Sequence, residues 1–508
     1  MKTIIITFFM LVLAAGIAAQ TPVPCGNVSG TWTTAGSPYL VQGDIAIQDG
    51  NTLTIEPGVK VEFQGNYCLD VQGRLLAEGT VADTILFTAA DTVAGYNAIT
   101  FVDTPLTNDS SIFSYCRFEH GNRHGTPWPF NGCGALGTRG FGKIRVDHCY
   151  FYHNQALDYL VSGYPAGGAI GMIGASMVIL NSTFDSNTAA YGGAVEIYLN
   201  SNPVIRNCVF TNNLGIEFGG AISINDACSP AITDCRFIGN TTNSYGGAIS
   251  ITPTIIFTTP SSPVIERNVF YNNLAGADGG ALEIWSPASP LIKNNSILNN
   301  HAVRGGGIDL YNEATPAIVN SILWGNTADT GDQVYIWSEY CTPSFMFSDI
   351  EGDSSAFGGA QFNGEYQNNI DANPLICDLA NLNFHLQDCS PCIDAGETGV
   401  DIGVFDGDYC TCLTGIPSGS YGTGRIVICP QPVTGFCEIK YSITGSGKTR
   451  IEILDLQGRT IMTLRDSYMP AGIYSEQADL SMLPAGLYFC RITSGDQQGV
   501  ARIVRHCN

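Results

Sequence analysis

Seven side chains carry the chemistry this sequence offers most clearly. Glu283 and Asp309 hold equivalent places in two successive stretches of a repeating pattern, and Trp285 and Tyr311 each follow two residues later. Glu196 and Tyr198 hold the same two places three repeats earlier, and Arg304 stands just before the pair Gly305-Gly306. If the repeats stack, Glu283 and Asp309 lie one strand spacing apart, about 4.8 Å. Carboxylates that close repel, so one takes a raised pKa or the two share a cation. Such a separation suits the acid and nucleophile of retaining glycoside hydrolysis. Carboxylates beside aromatic rings also suit a sugar groove, in which ring faces stack on sugars and carboxylates accept from hydroxyls. Three readings therefore stand side by side. One is a plain solvated face. The second is a carbohydrate-binding groove formed by Glu196, Tyr198, Glu283, Trp285, Arg304, Asp309 and Tyr311. The third is a catalytic pair at Glu283 and Asp309.

The remaining constellations are sparser. A uronate lyase needs a base and a cation against the carboxylate, yet the repeat region holds only Lys60, Lys143 and Lys293, none on this stripe. Arg206, Arg236 and Arg267 recur near one place in three repeats and form a candidate basic ladder on another strand. His301, with Arg304, is expected at the groove edge, on the turn into Gly305. Asp401, Asp406 and Asp408 crowd together and are the candidate calcium ligands; no other cofactor is implied. His120, His124, His148 and His153 share a region but lack zinc-type spacing, and no helix follows the Gly-Gly pairs, so these are not phosphate loops.

The elements that position the seven follow from the repeat. Gly-Gly-(Ala/Gly)-(Ile/Val/Leu) begins at Gly167, Gly192, Gly219, Gly246, Gly279 and Gly305, at steps of 25, 27, 27, 33 and 26 residues. An apolar residue followed three later by Asn accompanies it: Phe184/Asn187, Phe210/Asn213, Phe237/Asn240, Phe270/Asn273, Ile297/Asn300 and Leu323/Asn326, with Phe151/Asn154 as an earlier copy. Between them lies a third short run, such as Pro203-Val204-Ile205. Runs this short are strands, and a unit of this size buries its apolar face only by stacking on its copies. Three strands and three turns per coil make a parallel β-helix. Gly-Gly then supplies positive φ at a corner, and Asn tolerates the left-handed conformation at the next while its amide bonds to the Asn one coil away. The Phe side chains stack inside. Cys116, Cys149, Cys208 and Cys235 share the face of the ring two residues on, and the pairs 116/149 and 208/235 are either disulfides or stacked thiols. Residues 43–102 read as less regular coils, and the first strands and residues 345–410 as the caps that solenoids require.

Three resemblances arise on these residues. The paired Gly-Gly-Ala-Ile and Phe-x-x-Asn motifs, over about 100–345, resemble the repeats of chlamydial polymorphic outer-membrane proteins and of right-handed parallel β-helix repeat proteins. Ser390-Pro391-Cys392-Ile393-Asp394-Ala395-Gly396 followed by Asp401-Ile402-Gly403-Val404-Phe405 looks like the choice-of-anchor Q segment that ends many surface β-helices. Residues 425–508 resemble the type A C-terminal sorting domain of the type IX secretion system, through Pro430-Gln431-Pro432, the run from Ile451 to Arg459, Leu483-Pro484-Ala485-Gly486-Leu487-Tyr488-Phe489 and Arg502-Ile503-Val504. The chain departs from that pattern in continuing to His506-Cys507-Asn508. The resemblance implies a Bacteroidota-type bacterium, handling by the type IX machinery through residues 425–508, and release or attachment at the cell surface. Independently, alternating apolar residues and Gly-rich turns in this stretch read as a small β-sandwich.

Composition bounds the rest. A charged start, an apolar run over 4–15 and small residues at Ala18 and Ala19 read as a secretory signal peptide, residues 1–19. No other stretch is long and apolar enough to cross a bilayer as a helix. A net charge of −23 argues against a nucleic-acid partner. Eighteen Cys in an exported chain are free to oxidise. The expectation is an all-β chain: signal peptide 1–19, right-handed parallel β-helix with caps 20–410, linker 411–424, and C-terminal β-sandwich 425–508. Its expected role is extracellular or surface-attached binding or adhesion, without catalysis, to a polysaccharide, surface glycan or other host or cell-surface ligand. The alternative is a secreted polysaccharide-degrading hydrolase or lyase built on Glu283 and Asp309.

Overall fold

The structure is a computed structural model that describes residues 20–505, apart from 124–132, 158–165, 254–258, 286, 412–425, 430–432, 434, 444 and 496. The expected signal peptide, His124, Pro430-Gln431-Pro432, residues 506–508 and all of the expected linker but Thr411 lie outside the described residues. The chain divides into two compact units, 1–409 and 410–508.

The first unit is a right-handed parallel β-helix. Its strands are two to five residues long because turn-forming residues, chiefly Gly, Asn and Asp, interrupt the apolar runs. Within a strand alternate residues point inward: in Val195–Tyr198, Val195 and Ile197 join the core. Successive coils pair in register, Val195 on Ile222 and Ile222 on Ile249. Among the described residues this builds three thirteen-stranded parallel sheets. The first runs from Thr21–Val23 to Asp349–Ile350, the second from Gly26–Asn27 to Gly358–Gly359, and the third from Gly30–Trp32 to Glu365–Gln367. A fourth sheet of seven strands, Gln155–Ala156 to Thr327–Thr330, was not expected. It forms where the stretch between the corner Asn and Gly-Gly is long enough to pair with its copy.

Inside, Phe87, Phe118, Phe151, Phe184, Phe210, Phe237 and Phe270 form one stack. Neighbouring centroids lie 4.6–5.0 Å apart and the planes within 7° of parallel. That is the strand spacing, so backbone pairing sets the ring distance. The corner Asn residues form a second ladder: each amide from Asn154 to Asn300 donates to the carbonyl of the next, through Asn187, Asn213, Asn240, Asn273, Asn300 and Asn326, at 2.9–3.0 Å. The left-handed residue is not the ladder Asn, however. It is the one before it, Ser186, Asn212, Gly239, Asn272, Asn299 or Gly325. The preceding residue turns the chain, which leaves the Asn free to aim its amide inward at the next coil. The Asn240 side chain makes four hydrogen bonds in full burial, to Phe210, Asn273 and twice to Asn213. Asn240→Ala takes the acceptor from the Asn213 backbone N–H and from one N–H of the Asn213 amide, and a donor from the Phe210 carbonyl, at ~1–3 kcal/mol each. It is expected to cost at least ~3 kcal/mol, read as a lower urea midpoint at unchanged slope.

The cysteines serve a third ladder. Cys208 N–H donates to the Cys235 sulfur and Cys235 N–H to Asn268 Oδ1, while Cys149 N–H donates to Ser182. Thiols here stand where other coils use Ser or Asn, and Cys116, Cys149, Cys208 and Cys235 are free. Cys377, Cys389 and Cys410 are disulfide-bonded.

The expected C-terminal cap is only partly a cap. Phe345, Phe357, Phe362 and Tyr366 pack over the end of the core. Residues 371–409 instead fold back along the flank. Their Phe384, Leu386, Cys392 and Ile402 cover Val269, Leu298 and Ile322 on the outer face of the first sheet. Gly403 N–H on the Asn320 carbonyl and Val404 N–H on Ser296 Oγ tie them down. Outward apolar side chains on those coils needed a cover, and this segment supplies it.

The second unit is a small antiparallel β-sandwich. Among the described residues, three strands (Val427–Cys429, Phe436–Ile443, Gly472–Asp479) face four (Gly447–Leu454, Thr460–Met469, Gly486–Ser494, Gln497–Arg505). Between them sit Ile439, Tyr441, Ile451, Ile453, Cys490 and Ile503. Its Asp455-Leu456-Gln457-Gly458-Arg459 stretch is a turn. Asp455 accepts from the N–H groups of Gln457 and Arg459 and pairs with the Arg459 guanidinium at 2.7 Å, and Gly458 has φ +77°.

Candidate functional site

Strand alternation places the seven candidate residues on the second sheet and its border with the fourth. Gly171, Glu196, Ser223, Ser250, Glu283 and Asp309 point away from the core in strict register. The expectation of a solvent-facing stripe is corrected: Glu196 and Glu283 are 1% exposed and Asp309 0%. The cause is the tight Gly-Gly corner. It folds the end of each fourth-sheet strand back over the outer face of the second sheet, so Tyr191, Phe218, Tyr245, Asp278 and Arg304 line up beside the acids as one ladder.

Under this cover the acids join a polar network. Glu196 accepts from Asn225 Nδ2 at 2.7 Å, Asn225 also bonds Ser223 and Thr252, and Glu283 accepts from the Trp285 indole and from Ser250. Glu196 Oε2 and both Asp309 oxygens make no hydrogen bond of good geometry. Burial pushes the Glu196 carboxyl up to about 8. It raises Glu283 well above the usual carboxylate range, and Asp309 likewise, the latter aided by the neighbouring Glu283 and Asp278 carboxylates. A carboxyl that cannot be solvated keeps its proton. Along this stripe burial therefore favours the protonated form, which makes it a different object from the solvated, repelling pair expected.

What reaches solvent is aromatic. Tyr191, Phe218 and Tyr245 stack at 5.1 and 5.4 Å, and Trp285 stacks on Tyr311 at 4.5 Å. Trp285 meets Phe218 and Tyr245 edge-on, and Trp337 meets Tyr311 and Tyr335 the same way. The rings spend much of their faces on one another, and the Trp285 indole N–H is turned inward to Glu283, which leaves the remaining ring edges, the electropositive part of an aromatic ring, partly exposed. Trp337 is the most open, at 36%. Tyr198 is buried, at 5%. Arg304 lies on the strand His301–Arg304 rather than on a turn. Its guanidinium forks onto Asp278 at 2.7 and 3.0 Å and lies 4.4 Å from the Trp337 ring centroid.

Sequence reasoning missed Tyr191, Phe218, Tyr245, Asp278, Tyr335 and Trp337. The first three were detectable, because an aromatic residue precedes Gly-Gly in three consecutive repeats. The basic ladder does not form: Arg206 lies on the third sheet, Arg236 on the first, and Arg267 at a corner, paired with Asp234. Nor do the calcium candidates gather. The buried Asp401 accepts from the N–H groups of Asp394 and Gly407 and from the Tyr409 hydroxyl, whereas Asp406 and Asp408 are exposed. No three His, Cys, Asp or Glu among the described residues are grouped as metal ligands, and no helix among them is long and apolar enough to cross a membrane.

Residues 105–256 match the family described as right handed beta helix region, and residues 427–506 match the secretion system C-terminal sorting domain. The second match marks the chain for the type IX secretion machinery and for export, to the cell surface or the medium. Protein bark beetle of Drosophila melanogaster is 42% identical over 60 residues, which are 12% of this chain and 2% of that protein. A solved alginate lyase from Paenibacillus aligns over 64% of this chain and 93% of its own, at 12% identity and a TM-score of 0.24. The enzymatically active domain of tailspike protein 4 of Bacteriophage CBA120 aligns over 91% of this chain and 64% of its own, at 12% identity and a TM-score of 0.20. At those scores neither structure bears on what this chain binds.

Proposed function

We propose that this chain is an exported β-helix module that holds a glycan on the aromatic band of its second sheet without turning it over. The observation that carries the reading is the pairing of a half-exposed aromatic surface with carboxyl groups sealed beneath it. Ring edges and phenol hydroxyls suit the oxygen-rich surface of a sugar, while Glu283 and Asp309, at 1% and 0% exposure, are out of reach of a substrate. Their role is then to support: Glu283 fixes the Trp285 indole, and the Asp278–Arg304 pair fixes Trp337.

A glycan array probed with the full chain tests this. Retention on at least one glycan is expected, weakened at least about tenfold, or ~1.4 kcal/mol, by Trp337→Ala with the melting temperature kept. Retention unchanged in Trp337→Ala and Tyr311→Ala alike sinks the site. The second reading, hydrolysis, rests on Asp309, a buried acid whose charged form burial disfavours and whose oxygens make no hydrogen bond of good geometry, of the kind enzymes use as a general acid. It requires product release that Asp309→Asn abolishes.

A further inference from the structure

We propose that the aromatic band takes an uncharged, hydroxyl-rich chain laid parallel to the solenoid axis, and that it turns polyanions away. This rests on the glycan-binding reading above and adds the ligand's charge class, direction and length.

Direction and length come from the register. The band holds one or two rings per coil over six successive coils, from Tyr191 to Trp337. Rings follow one another along the axis, as Trp285, Tyr311 and Trp337 do at 4.5 and 5.4 Å. Five coil spacings of ~4.8 Å give a track of roughly 24 Å. A ligand crossing the band at right angles meets a single coil, whereas one lying along it meets all six.

Charge class comes from what surrounds the track. Its one guanidinium, Arg304, is bonded through two nitrogens to Asp278, and the Trp337 ring lies close to it, so the pair presents little net charge. The acids beneath are buried, which disfavours their charged forms and keeps them out of a ligand's reach. The bordering segments 214–218, 241–245, 274–278, 301–304, 312–315, 327–332 and 337–341 contain no Lys and no second Arg. They do contain Glu313, Asp329, Asp332 and Glu339, all exposed. A uronate or sulfated polymer therefore meets a rim of like charge with no cation to hold it, whereas a neutral chain has no such penalty.

Affinity electrophoresis of the full chain through gels containing defined polysaccharides reads this directly. Neutral glucans, mannans, xylans and galactans make up one set, and polygalacturonate, alginate and a sulfated galactan the other. Retardation by at least one neutral polymer and by no polyanion at physiological salt is expected. For oligosaccharides of the retained polymer, affinity should rise with length and level off once the chain outspans the track. Asp329→Lys/Asp332→Lys, both at exposed positions, should add polyanion retardation while keeping that by the neutral polymer. Retardation by a polyanion at least as strong as by any neutral polymer overturns the inference and leaves the glycan reading standing. Retardation by neither class overturns both.

Discussion

Gly220→Ala is expected to abolish folding of the central coils. A Cβ on Gly220 would sit 2.0 Å from the Gly247 carbonyl oxygen and 2.7 Å from that of Thr241. Both obstacles are backbone, held by the ladder that defines the next coil, so neither yields like the end of a flexible side chain. Relief requires parting the coils, which breaks pairing in the second and fourth sheets together. A penalty above ~4 kcal/mol belongs to this class of overpacking, and the chain should lose its cooperative melt or its soluble yield. Gly140→Ala is the matched control. Nothing lies within 4 Å of its added Cβ, and it carries only the left-handed strain of φ +71°, about 1–2 kcal/mol. Equal behaviour of the two variants contradicts the close-stacked corner.

Glu196→Gln is expected to stabilise the β-helix at pH 8 and not at pH 4. Below its ordinary value of 4.5 the carboxyl is protonated in both folded and unfolded chains, so it contributes no pH dependence. Between 4.5 and about 8 the unfolded chain gives up the proton while the folded chain retains it. The folded state then binds more protons, and stability falls as pH rises across that window. Above about 8 both states are ionised and the loss is complete. Gln keeps the acceptor for Asn225 and has no proton to lose, so the pH slope assigned to this site disappears. The gain at pH 8 is on the order of 2–4 kcal/mol, less the cost of an unpaired amide N–H where Oε2 now lies. Thermal melts of both proteins at pH 4, 6 and 8 check it. Parallel curves would mean that Glu196 is solvated.

Most of the scaffold was legible in the sequence because one coil repeats it. The Gly-Gly spacing gave coil length, the Phe-x-x-Asn motif gave the ring and amide ladders, and period-two alternation told inward Ile197 from outward Glu196. What stayed hidden belongs to contacts that alternation does not encode. It identifies Glu283 and Asp309 as pointing away from the core, but not that the preceding strand folds back and covers them. That takes the geometry of the Gly279 corner, whose φ of +69° turns Asp278 over the stripe. In the same way, the motif shows a corner at Asn212-Asn213 without showing which of the two is left-handed. Residues 371–409 resembled a terminal segment, and only the outward-pointing apolar side chains of Val269, Leu298 and Ile322, which they bury, explain why they lie along the flank.

Capture without turnover is tested most directly by one incubation. The full chain is held overnight with the polysaccharide it retains, and bound protein, reducing ends and unsaturated products are measured in the same sample. Steady retention with no product is predicted, in the native chain and in Glu283→Gln alike. Product that accumulates with the native chain and vanishes with Glu283→Gln or Asp309→Asn would contradict it, and would make the buried acids catalytic.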